Sequence, residues 1–231
     1  MDTDERIADL LADKGPTKAR DMMLAWSETR NSSWADADRE AQARAASNGH
    51  LPQHRGQLRY HYGQTALVDA CRRAGLGSIP MKTTPAGGVF IVGRVGRFAL
   101  VTMTIKHRWV MPRRSITRTM LSQANETIEP QERLFDEPRP VESVTELAYF
   151  GCLIAIPNRH DESVPAQLAL AVPNVGITEW VSWIPLHRLH GLLQARADDA
   201  SADTGAVDVP DLAIPKFRLP KQRTDEDDAG K

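Results

Sequence analysis

The chain has 231 residues, of which 41 % are hydrophobic and 26 % charged, and its formal net charge is −1. That apolar content supports a packed core of one large domain or two small ones and excludes a wholly disordered chain. Cys71 and Cys152 are too few for a disulfide-stapled mini-fold or a four-thiolate zinc centre.

The opening MDTDERIADL is acidic where a secretory leader is basic and then apolar, so a cytoplasmic protein is expected. Asp2 and Glu5 form a capping-box pattern ahead of Ile7, Leu10 and Leu11, and Gly15-Pro16 ends that turn. Pro16 suits a first helical position, after which Ala19, Met22, Met23 and Trp26 recur at helical spacing as a core stripe. Ser33 with Asp36 predicts a fresh cap and a separate alanine-rich helix ending at Asn48-Gly49. A longer helix is expected from Pro52 to Ala74, with Leu58, Tyr62, Ala66, Ala70 and Ala74 stepping by four. Arg55, Arg59, Arg72 and Arg73 project from it, and Gly56 and Gly63 weaken it by about 1 kcal/mol each against alanine. A helix-turn-helix fails at this point, because Pro80 and Pro85 fall where the recognition helix would have to run.

From Gly87 the apolar period becomes two. Val89–Val92 and Phe98–Lys106 predict a hairpin with Arg94 and Arg97 at its tip, and Trp109-Val110-Met111 predicts a short strand before Pro112. Ser115 starts a helix with Ile116, Met120, Leu121 and Ala124 inward. Its start, with Arg113, Arg114 and the Ser115 hydroxyl, resembles an anion cradle. Residues 126–142 read as a polar connector. Leu147–Ile156 is apolar on all sides, about half the length of a bilayer span, and reads as a buried strand. It pairs with Gln167–Val172 across the loop Pro157–Pro165, and Trp180–Ile184 adds a further strand. Pro185 then opens a helix with Leu186, Leu189 and Leu193 inward. Beyond Ala197 the composition turns to Asp, Ala, Ser and Pro, which is too polar to order itself. The expected fold is α+β: a helical region over 1–76, a mainly antiparallel β domain with interspersed helices over 77–196, and a flexible acidic tail over 197–231.

The net charge conceals a partition. Residues 1–40 carry net −4, residues 126–231 net −9, and residues 41–125 net +12, from thirteen bases against the single acid Asp69. Eleven of the thirteen are arginines, whose planar forks bind phosphate in a bidentate way and stack on bases. Tyr60 and His61 follow Arg59, and Trp109 follows Arg108, which suits a nucleic-acid surface where backbone neutralisation and ring stacking act together. The candidate nucleic-acid contacts are Arg55, Arg59, Tyr60, His61, Arg94, Arg97, Arg108, Trp109, Arg113 and Arg114. The competing expectation is that the acidic flanks neutralise the basic segment internally.

Catalytic motifs are missing: there is no P-loop, no dinucleotide-binding glycine fingerprint and no nucleophile elbow. His187 with His190, and His50 with His54, lack a third ligand at fixed spacing, so no metal or other cofactor is expected. Asn158–Ser163 joins a histidine, two acids and an arginine in one loop, a composition shared by general acid–base sites and by polar hairpin tips. The function expected is therefore a non-catalytic nucleic-acid-binding protein, a bacterial-type DNA-binding regulator or accessory factor, with DNA favoured over RNA and no membrane partner. The alternatives are an antitoxin-like or inhibitor-like interaction module, and a phosphodiester-cleaving enzyme using the His160 loop. The apolar and basic segment Leu212 to Arg223 is a candidate docking peptide for a protein partner.

Overall fold

A helical front that ends at Arg73 gives way to a sheet that begins at Ser78, and the two pack on each other. The computed structural model describes residues 2–45, 49–83, 88–128 and 149–204. Three helices come first, α1 (Thr3–Ala12), α2 (Pro16–Arg44) and α3 (Leu51–Arg73). Strands β1 (Ser78–Lys82), β2 (Val89–Val95) and β3 (Phe98–Thr104) follow, then α4 (Ile116–Ser122) running into a 3-10 turn at Gln123–Thr127. The chain continues with β4 (Tyr149–Pro157), β5 (Pro165–Pro173), β6 (Trp180–Pro185) and α5 (Leu186–Thr204).

The six strands lie side by side in chain order. Two antiparallel meanders, β1-β2-β3 and β4-β5-β6, meet along one parallel pairing that sets Phe98 opposite Tyr149 and Thr104 opposite Ala155. The fold is α+β with a mainly antiparallel sheet, as its sequence predicts. Helices α1, α2, α3 and α5 cover one face, where Trp26, Met22, Met23 and Leu67 pack on Phe98, Leu100, Leu153 and Leu170. On the other face Val101, Phe150, Cys152 and Ile154 form a smaller cluster against Leu121 of α4. Lying centrally, β4 is buried through its first seven residues, which explains its run without a polar position.

Several local expectations change. Helix α2 runs unbroken through Ser33, because that hydroxyl donates to the Arg30 carbonyl (3.2 Å) instead of capping a new start, while Trp34, Ala37 and Ala41 continue the buried stripe. Pro80 sits in a strand that was not anticipated. β1 is an edge strand, where a missing ladder donor is tolerated. Residues 109–111 form no strand: Val110 N–H donates to the His107 carbonyl in a turn, and Trp180 Nε1 holds the Arg108 carbonyl at 2.9 Å. Helix α4 is rotated, with Ile116 and Met120 exposed and Thr117 and Ser122 inward. Polar clasps set that rotation, for Ser122 Oγ donates to the Val175 carbonyl, and the buried Asn125 side chain bonds Phe150 and Pro173. Helix α5 extends past Ala197 to Thr204, supported by Gln194 Nε2 to Asp198 and Ser201 Oγ to the Ala197 carbonyl. The rest of the expected tail, with Leu212–Arg223 inside it, lies outside the described residues, as does most of the connector over 126–142. Among the described residues no helix is long and apolar enough to cross a membrane.

The β2–β3 turn docks on the end of α1. Gly96 has φ +52°, and a Cβ there would overlap the Leu10 and Leu11 carbonyl oxygens, while Arg97 N–H donates to the Leu10 carbonyl at 2.9 Å. Gly96→Ala is expected to cost at least about 2 kcal/mol, combining the left-handed penalty with that collision. Urea unfolding would measure it, and a loss under about 0.5 kcal/mol would show the turn to be free to move.

Candidate anion-binding cleft

Strands β2 and β3 pair only at Gly93–Leu100, Arg94–Ala99 and Val95–Phe98, then part. The freed edge of β2 is satisfied by α3 instead. Gln64 Oε1 accepts from Ile91 N–H (2.6 Å), and Tyr60 Oη donates to the Val89 carbonyl (3.0 Å). The parting opens a recess of about 210 Å³ walled by Phe90, Val101, Met103, Leu121 and Phe150. It adjoins a wider cleft of about 800 Å³ between α3 and the segment that follows β3. Tyr60, Thr102, Met103 and Arg118 line both.

Five cations reach the wider cleft: Arg30, Arg59, Lys106, Arg113 and Arg118. Among the described residues its lining contains no carboxylate. Arg30 comes from the middle of α2 and is 1 % exposed. Its guanidinium donates to the Arg59 carbonyl (3.0 Å) and to Thr104 Oγ1 (3.1 Å), and its Nε has no partner. Arg30 and Arg59 both stack on the buried Trp34 ring, at 4.7 and 4.2 Å from its centroid. Space for this comes from Gly63, where a Cβ would stand 3.2 Å from the Arg30 Cζ; the helix-weakening glycine thus has a packing reason. Arg59 ion-pairs with Glu162 at 2.7 Å, and Arg55 with Asp38 at 2.6 Å and Glu162 at 3.8 Å. Three buried or half-buried guanidiniums therefore share two carboxylates, leaving one positive charge over, and Arg30 has no carboxylate within 4 Å among the described residues. Burial first, and the neighbouring Arg59 charge second, pull the Arg30 pKa down to about 10. Arg59 is lowered too, by burial, against the opposing pull of Glu162. An uncompensated buried cation is costly, and an arriving anion relieves that cost.

The basic segment divides by the element that carries it. Its helical arginines are mostly spoken for: Arg44 pairs with Glu40, Arg55 and Arg59 with the acids above, Arg72 with Asp69 and Arg73 with Glu28. Arg55 and Arg59 thus point inward, against the expectation that they project from α3. Trp34 and Asp38 of α2 draw them in. Lys82, Arg94, Arg97, Lys106, Arg108, Arg113, Arg114 and Arg118 have no carboxylate partner among the described residues. The acids of α1 are turned elsewhere, since Asp2 and Asp4 hold Arg188 and Asp9 holds Arg196.

The candidate contacts do not all converge. Arg113 and Tyr60 line the cleft beside Arg59. Exposed His61 packs edge-on against Tyr60, 5.4 Å between centroids. Arg108 stacks on Trp109 at 4.1 Å, and that indole is 74 % exposed, four residues from Arg113. Arg114 is exposed next to Arg113. Arg94 and Arg97 lie at the opposite end of β3, about 20 Å away along the strand, where the Arg97 N–H donates to the Leu10 carbonyl of α1 and its guanidinium lies 5.8 Å over the Tyr149 ring. Ser115 caps α4 by accepting from Arg118 N–H (3.3 Å), so the expected cradle contributes arginines more than free amides. Arg30 and Thr102 escaped sequence reasoning, while Lys106 and Arg118 entered it only as members of the basic segment 41–125. Arg30 lies in an acidic segment, and Thr102 looks like an ordinary strand residue.

The other sequence candidates resolve into structural parts. In the β4–β5 loop Asn158 Oδ1 accepts from His160 N–H and Asp161 accepts from Ser163 N–H and Oγ, the bonds of a polar tip. Glu162 turns away from His160 onto Arg59. Burial pushes the Cys71 thiol up to about 11 and the Cys152 thiol up to about 12, which leaves both protonated at neutral pH. Burial also lowers His190, whose Nε2 has no partner. Among the described residues no three His, Cys, Asp or Glu side chains gather as a metal site would need. No protein-family model, curated protein or solved structure matches the chain.

Proposed function

We propose that this chain binds nucleic acid without acting on it chemically, and that its phosphate contact is the cleft between α3 and the segment after β3. The observation that carries this reading is the arrival of Arg30, Arg59, Lys106, Arg113 and Arg118 at one cleft that no acid lines among the described residues. Phosphate is the anion that suits a guanidinium-rich wall, because the planar forks match its oxygens in pairs. Tyr60, His61 and Trp109 supply ring faces at the rim on which unpaired bases stack, each such contact being worth about 1–3 kcal/mol.

The experiment is a fluorescence-anisotropy titration of the full chain with labelled single-stranded and duplex oligonucleotides between 50 and 200 mM salt. Binding should weaken steeply as salt rises. The double variant Lys106→Ala/Arg113→Ala removes two exposed cations and should lower the slope of log affinity against log salt by about 1.4 on single strands. Binding indifferent to salt, or unaltered in the double variant, would overturn the reading.

A further inference from the structure

We propose that the cleft and the recess behind it hold a single unpaired nucleotide by its terminal phosphomonoester, with the base in the recess, so that the protein recognises strand ends or free mononucleotides. The inference rests on the nucleic-acid reading above and narrows it.

Three observations carry it. The first is depth. Arg30 is 1 % and Arg59 5 % exposed, so their charge acts from beneath the cleft floor, and a phosphate with one substituent can settle closer to it than a phosphodiester flanked by sugars on both sides. The second is charge. A terminal phosphate brings close to two negative charges, against the surplus cation of the buried cluster and Lys106, Arg113 and Arg118 around it, which have no carboxylate partner among the described residues. The third is an unmet hydroxyl. Thr102 is 7 % exposed, its Oγ1 has no hydrogen-bond partner among the described residues, and it lines both cleft and recess at their junction. An oxygen so buried normally has a partner, and a phosphate or ribose oxygen at that junction supplies one.

The recess favours a base over a hydrocarbon chain. Its apolar walls, Phe90, Val101, Met103, Leu121 and Phe150, come with polar groups on the same surface. Gln64 spends its Oε1 on Ile91, and its amide nitrogen makes no hydrogen bond among the described residues, so it can donate to a base carbonyl. A greasy chain would strand that donor. The two volumes together lie in the range of ordinary small-ligand sites.

The test compares one ten-nucleotide strand with a 5′-phosphate, with a 3′-phosphate and with neither, alongside adenosine monophosphate, inorganic phosphate and dodecyl phosphate as competitors. At least one phosphorylated end should bind about tenfold tighter than the bare strand, and the mononucleotide should compete better than inorganic phosphate. Mononucleotide binding that matches a phosphorylated strand assigns the site to free nucleotides; weaker mononucleotide binding assigns it to ends. Thr102→Val, which keeps the side-chain shape, should shrink the preference for a phosphorylated end below about threefold, and Thr102→Ser should restore it. Equal, salt-dependent binding of all three strands would overturn this inference and leave the nucleic-acid reading standing. Failure of every strand to bind would overturn both, and dodecyl phosphate outcompeting the mononucleotide would overturn the base in the recess.

Discussion

The Trp34→Ala protein is expected to unfold in urea with about 4 kcal/mol less stability than the parent chain. Trp34 is fully buried, and deleting such an indole generally costs about 3–5 kcal/mol, because the surroundings close only partly over the void. Here the neighbours make closure harder. Arg30 and Arg59 both lie on the ring, and the indole Nε1 donates to the Glu162 carbonyl at 3.1 Å. Without the ring, two like charges face a hole that water must fill. Trp34→Phe keeps a stacking surface and loses the donor, so it should cost about 1–2 kcal/mol. If both variants unfold with the same midpoint, the platform is not what holds the arginines.

A second large effect is expected at Asn125, which is fully buried in the turn after α4. Its Oδ1 accepts from Phe150 N–H at 2.8 Å, and its Nδ2 donates to the Phe150 and Pro173 carbonyls at 3.0 and 2.7 Å. One amide therefore serves the start of β4 and the end of β5, where the ladder has run out. Asn125→Ala strands a buried donor and two acceptors and should cost about 3–4 kcal/mol, read by thermal or urea unfolding. Asn125→Asp should be no better at neutral pH, because a carboxylate accepts where two carbonyls need a donor. It should recover in part under mild acid, since the protonated form is the one the folded site favours, and that stability disappears as pH rises and the group ionises. A loss below about 1 kcal/mol for the alanine variant would mean that water replaces the amide.

Where the fold was legible, periodicity made it so. The stripe Ala19, Met22, Met23, Trp26 and the alternation through Phe98–Thr104 each match one buried face of a regular element. Features that escaped were set by tertiary partners. Ser33 reads locally as a cap, yet Trp34 and Ala37 extend the buried stripe and carry the helix through it. Ile116 and Met120 look inward by spacing alone, but the bonds of Ser122 and Asn125 fix α4 in the opposite rotation. The site was half visible. The basic, aromatic-interleaved stretch 41–125 pointed to Arg113 and Tyr60 of the candidate cleft, while Arg30, the most buried cation lining it, belongs to a segment with net negative charge. A count along the chain cannot tell that Asp2, Asp4 and Asp9 are taken by α5, nor that Arg30 has no carboxylate partner among the described residues.

The seam between the two meanders has a consequence for the nascent protein. Within each meander, strands bond to their neighbours in sequence, whereas β3 and β4 meet across about fifty intervening residues, a closure that is slow compared with a hairpin. As the ribosome delivers the chain, α1–α3 and the first meander emerge before β4 exists, and β3 must wait with one flank open to any other extended polypeptide. The cleft sits at the far end of that waiting strand, with Pro157 of β4 in its wall. The cleft itself is therefore completed last, after the second half of the molecule has been made and has zipped onto the first.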